Sequence, residues 1–91
     1  MAEGGNNGAQ VGPEAQATQL MAAVQLELES RGYPPMVVEA AIARARGMAY
    51  YRTKPLSDSI RAQGFYDVLT HELYKAEDWI KRELNLAEET E

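Results

Sequence analysis

Apolar residues recur every three or four positions from Ala17 to Ile80 of this chain, and proline interrupts the recurrence only at Pro34–Pro35 and Pro55. Side chains three and four apart share one face of an α-helix, whereas a strand alternates its faces every second residue. No stretch shows sustained apolar–polar alternation with β-branched residues, so strands are not expected. The expected fold is all-α: a helical hairpin followed by a long third helix, packing as a homodimeric bundle.

Three helices follow from the pattern. The first is expected over residues 13–31. Pro13 suits an opening helical turn, where its missing N–H has no partner to lose, and Ala17, Leu20, Met21, Val24 and Leu28 form the apolar face. Gly32 can take the left-handed conformation that ends a helix, Tyr33 can fold back onto the last turn, and two prolines forbid continuation. The second helix is expected over 35–51, with Val38, Ala41, Ile42, Ala45 and Ala49 as its stripe. That stripe is mostly alanine, which lets a neighbouring helix approach closely. Gly47 weakens the helix interior by about 1 kcal/mol relative to alanine.

The third helix is expected over 58–85, with Ser57 as its N-cap and Asp58 placed well for the helix dipole. Ala62, Tyr66, Leu69, Leu73, Ala76 and Ile80 alternate spacings of four and three, as heptad a and d positions do. Phe65 and Trp79 widen that face. The expected interaction seam is therefore Phe65, Tyr66, Leu69, Leu73, Ala76, Trp79 and Ile80. Gly64 is a place where this helix could kink. Residues 1–12 hold four of the seven glycines and almost no bulky apolar group, so they are expected to be a disordered tail. Residues 87–91 are expected to fray, because carboxylates oppose the dipole at a helix C-terminus.

Ninety-one residues make one domain with a modest core, and the absence of cysteine removes disulfides and thiolate metal sites as staples. Oligomerisation is the remaining route, hence the expected homodimer. The N-terminus has neither the basic nor the apolar region of a secretory signal, so a cytoplasmic location is expected, with no membrane partner.

The same residues limit the chemistry. One histidine and no cysteine cannot assemble the common zinc sets, and no glycine-rich phosphate loop is present. His71 falls at an outward heptad position. Glu72, Glu77 and Asp78 read as a solvated face, with Glu77–Lys81 and Asp78–Arg82 as i,i+4 pairs. No catalytic residue, cofactor or metal is expected.

One stretch stands apart. "ARARGMAYYRTKP", residues 43–55, carries four positive charges and no carboxylate in a chain of net charge −5. Arg44, Met48 and Tyr51 lie along one line of the second helix, and Arg46 and Tyr50 along another about 200° away. Arg52, Lys54 and Arg61 follow. This island has three readings: a basic helix terminus favoured by the dipole, a face for a protein partner's carboxylates, or a nucleic-acid contact in which Tyr50 or Tyr51 stacks on bases. The proline-interrupted connector and the carboxylate-rich third helix argue against a DNA-reading helix-turn-helix.

"LESRGYPPMVVEAAIARA" resembles ubiquitin-associated domains in its helix–Gly-Tyr–helix rhythm, over about a fifth of the chain, and the next helix departs from their pattern. No function is carried over from it. The expected function is non-enzymatic protein–protein interaction by a small homo-oligomeric adaptor, regulator or assembly component. The alternative is a nucleic-acid-associated regulator using residues 44–61.

Overall fold

The computed structural model describes residues 12–89, and these are all-helical, with no strand among them. Four helices follow one another: α1 Pro13–Ser30, α2 Pro35–Thr53, α3 Asp58–Tyr74 and α4 Ala76–Glu89. The tail expected over residues 1–12 lies outside the described residues, apart from Gly12, which N-caps α1.

The hairpin of α1 and α2 forms for the reasons the sequence suggests. Prolines occupy the first turns of both helices. The reversal between them depends on Gly32, which has φ +95°. It is the single described residue in the left-handed region, and an L side chain there would be strained. The Gly32 N–H donates to the Glu29 carbonyl at 3.0 Å, which ties down the end of α1. Helix α2 runs through Gly47 without interruption and ends two residues later than expected, at Thr53. Thr53 is buried, and its hydroxyl donates back to the Ala49 carbonyl at 2.7 Å. That bond satisfies a hydroxyl which would otherwise be costly to bury.

The long third helix is not continuous. It divides at Lys75, whose φ and ψ of −95° and 0° leave the α-helical well. Neither glycine nor proline stands at this junction, so local sequence does not impose the break. What it achieves is packing: Ala76 and Ile80 of α4 are buried, and α4 lies against α2. Gly64, where the sequence allowed a kink, is an unbroken part of α3. A Cβ there would meet Leu56 Cδ1 at 2.7 Å, so this glycine admits the α2–α3 connector. Ser57 precedes α3 as its N-cap, yet its hydroxyl makes no capping bond and faces the Ser59 hydroxyl at 3.1 Å. Helix α4 continues to Glu89, beyond the end expected near residue 85; residues 90–91 lie outside the described part.

The core is a single cluster. Ala17 and Leu28 of α1, Val38, Ala41, Ile42, Ala45 and Ala49 of α2, and Leu69, Leu73, Ala76 and Ile80 of α3 and α4 are buried together. The alanine row of α2 is what permits α3 to lie close against it. No helix among the described residues is long and apolar enough to cross a membrane.

Candidate functional site: a cationic groove beside a buried carboxylate

Helix α2 carries its functional side chains in rows four residues apart, because every fourth residue of a helix returns to nearly the same face. The central row, Ala41, Ala45, Ala49 and Thr53, is buried. The row just before it contains Arg44, Met48 and Arg52, and the row just after it Arg46, Tyr50 and Lys54. The basic island is therefore divided between the two flanks of one helix. Each flank meets a different environment.

On the first flank stands Glu72, which is only 1% exposed. Arg44 Nη1 donates to its Oε1 at 3.4 Å, and Arg52 Nη1 lies 3.3 Å from its Oε2. The second contact brings opposite charges together without hydrogen-bond alignment, so Oε2 has no hydrogen-bond partner among the described residues. Glu72 is thus not part of a solvated face, as its charge suggested. It occupies the heptad g position beside Leu73, where charged side chains pair across helices, and that register was the available signal. Both arginines are about half exposed.

The second flank opens into a groove of about 800 Å³ between α1, the end of α2 and the start of α3. Ala17 and Met21 of α1 and Ala62 and Phe65 of α3 give it apolar walls, while Arg46, Tyr50 and Lys54 stand along the α2 side. Arg61 lies across from them. Its Nη1 donates to Asp58 Oδ1 at 2.9 Å and its Nη2 to the Leu56 carbonyl at 2.7 Å, so it serves as a clamp on the connector. Arg46 and Lys54 have no ion-pair partner among the described residues. Tyr50 is mostly exposed at the rim, and Tyr51, more exposed still, lies outside the groove. The contribution of α1, including Glu14 and Thr18, was not foreseen, because it comes from a segment some thirty residues away in the chain.

The residues of the expected interaction seam lie in and around the core of the chain. Leu69, Leu73, Ala76 and Ile80 are core residues, and Phe65, Tyr66 and Trp79 pack half-buried against them. Phe65 also reaches the cationic groove. A second, shallower depression of about 560 Å³ runs between α1 and α3, with Leu20, Val24, Leu73 and the 91% exposed Tyr74 along it. His71 is exposed on the last turn of α3.

Glu77 also departs from expectation. It does not pair along its own helix with Lys81; it reaches the hairpin turn. Tyr33 Oη donates to its Oε2 at 2.7 Å, and Arg31 Nη1 donates to its Oε1 at 2.7 Å. The Tyr33 hydrogen bond, followed by that of Arg31, holds the Glu77 carboxyl below its ordinary pKa. The same bond raises the Tyr33 phenol above its ordinary value. For Glu77 the folded value lies below the unfolded one, so its contribution is present above the ordinary carboxylate range and is lost as pH falls through the folded value. For Tyr33 the folded value is the higher, so its contribution holds below the ordinary phenol range and is lost on going more alkaline. We expect Glu77→Gln to narrow its deficit in thermal midpoint against the native chain as pH falls from neutral to 3. A deficit equal at both ends would show that this latch carries no charge-dependent stability.

The described residues thus make a small all-helical domain with one cationic groove. Comparison with protein-family models, curated protein sequences and solved structures finds no match, and the functional argument is carried by the residues above.

Proposed function

We propose that this chain is a non-enzymatic protein–protein interaction module that acts as a homo-oligomer and docks an acidic, partly apolar protein segment in the groove between α1, α2 and α3. The observation that supports it is that Arg46 and Lys54, without an ion-pair partner among the described residues, stand beside apolar walls from Ala17, Met21, Ala62 and Phe65. Cations at a rim select carboxylates, and desolvated apolar walls with an aromatic anchor supply affinity. The groove lining holds three cations, Arg46, Lys54 and Arg61, against two carboxylates, Glu14 and Asp58, a small positive excess in a chain of net charge −5.

A nucleic-acid-associated regulator using residues 44–61 is the second reading, favoured by Tyr50 standing exposed between Arg46 and Lys54 in one row. It is weakened by the commitment of Arg44 and Arg52 to Glu72 and of Arg61 to Asp58. Counterion release needs free cations facing one backbone, and here most of the island is already paired.

One titration separates the two. A fluorescent peptide rich in glutamate and leucine should bind the native chain, and Arg46→Glu with Lys54→Glu should weaken binding roughly tenfold or more, since charge complementarity decides which surfaces dock. Circular dichroism should stay nearly unchanged, because exposed charges contribute little to fold stability. Retardation of a mixed-sequence oligonucleotide, steeply lost as salt rises, with no peptide binding, would favour the second reading.

A further inference from the structure

We infer that the occupant of the cationic groove is the acidic carboxyl-terminal stretch of a second copy of this chain, residues 83–91, so that the protein associates head to tail. The inference rests on the docking role proposed above for that groove. An occupant must bring carboxylates to Arg46 and Lys54 and a few small or branched apolar groups to the walls. Residues 83–91 read Glu-Leu-Asn-Leu-Ala-Glu-Glu-Thr-Glu, with four carboxylates, no cation, and Leu86 and Ala87 between them. The segment at the other end is a poor match, because residues 1–12 contain one carboxylate.

Two features of α4 support this choice. Its last turn contains no basic residue, while the sequence places Glu88 and Glu89 there. Carboxylates at a helix C-terminus oppose the dipole, and cations from a second molecule would offset that repulsion. Leu84 is the last residue of α4 that packs against the core among those with described side chains, and Asn85 is already exposed.

Helix α4 packs against α2 and α3, and none of the described residues lining the groove belongs to it. Helix α4 starts beside the hairpin turn, where Glu77 holds Arg31 and Tyr33. The groove lies at the opposite end of the hairpin, among Glu14, Thr53, Lys54 and Asp58. Contact of this stretch with the groove of a second copy joins unlike surfaces, which propagates into open chains or closes as a ring.

The test is charge exchange on the full chain, read as mass by sedimentation velocity. The native chain should gain mass with concentration and lose that gain at high salt. A groove variant (Arg46→Glu, Lys54→Glu) and a tail variant (Glu88→Lys, Glu89→Lys, Glu91→Lys) should each stay monomeric alone, and mixing them should restore association. A native chain that is monomeric throughout, or a tail variant that associates as the native chain does, overturns the inference. Failure of the mixture to re-associate overturns it too. The docking reading is judged separately, with the unrelated glutamate- and leucine-rich peptide. If that peptide binds through Arg46 and Lys54 while the native chain stays monomeric, only the second-copy occupant is wrong. If neither that peptide nor a peptide of residues 83–91 binds, the docking role of the groove falls as well.

Discussion

Replacing Arg44 and Arg52 together by alanine is expected to destabilise the fold strongly, toward the lower end of the ~3–5 kcal/mol seen when a buried ion pair loses one partner. The reason lies in what remains. Glu72 is 1% exposed, and without the two guanidinium groups its charge would be buried with no compensating partner. The reverse substitution behaves differently. Glu72→Leu leaves two arginines that are about half exposed and can return to water, while a leucine joins Leu69 and Leu73 at the α2–α3 contact. Exchange of a buried ionic group for an apolar one of similar volume is often neutral or stabilising. The expected result is thus an asymmetry: a large loss in urea midpoint for the double arginine variant and a small change for Glu72→Leu. Equal losses would show that the arginines act through their aliphatic stems rather than through charge.

The second large effect is expected at Leu69. It is 0% exposed at the centre of the cluster shared by α1, α2 and α3, so Leu69→Ala removes a side chain that water cannot replace. The cost should be roughly 2–5 kcal/mol, combining lost transfer free energy with a cavity that the alanine row of α2 has no bulk to fill. For a domain of this size that is a large part of the whole stability. Chemical denaturation of the native chain and the variant measures it directly, with unchanged m-value as the sign that both unfold from the same state. A loss below about 1 kcal/mol would mean that Leu69 is not held in a packed interior.

The helical class, the hairpin and its turn were legible in the sequence because they depend on local physics. Period, proline and glycine act within a few residues, and the structure keeps Pro13, Gly32 and Pro35 in the places those rules assign. The apolar faces were legible too: Val38, Ala41, Ala45, Leu69, Leu73 and Ile80 are all buried. Burial follows amphipathic spacing whatever surface does the covering.

Other features depend on contacts between segments distant in the chain, and only the tertiary structure decided them. Nothing local marks the break at Lys75; it exists because α4 reaches the surface of α2 that way. The charge of Glu72 predicted exposure, and two arginines from another helix, about half exposed themselves, allow it to be buried. The basic island looked like one feature because its residues are neighbours in sequence. A helix sends consecutive residues in directions 100° apart, so Arg44 and Arg52 went to a buried carboxylate while Arg46 and Lys54 went to an open groove. The walls of that groove come from α1 and α3, and no spacing within α2 could have announced them.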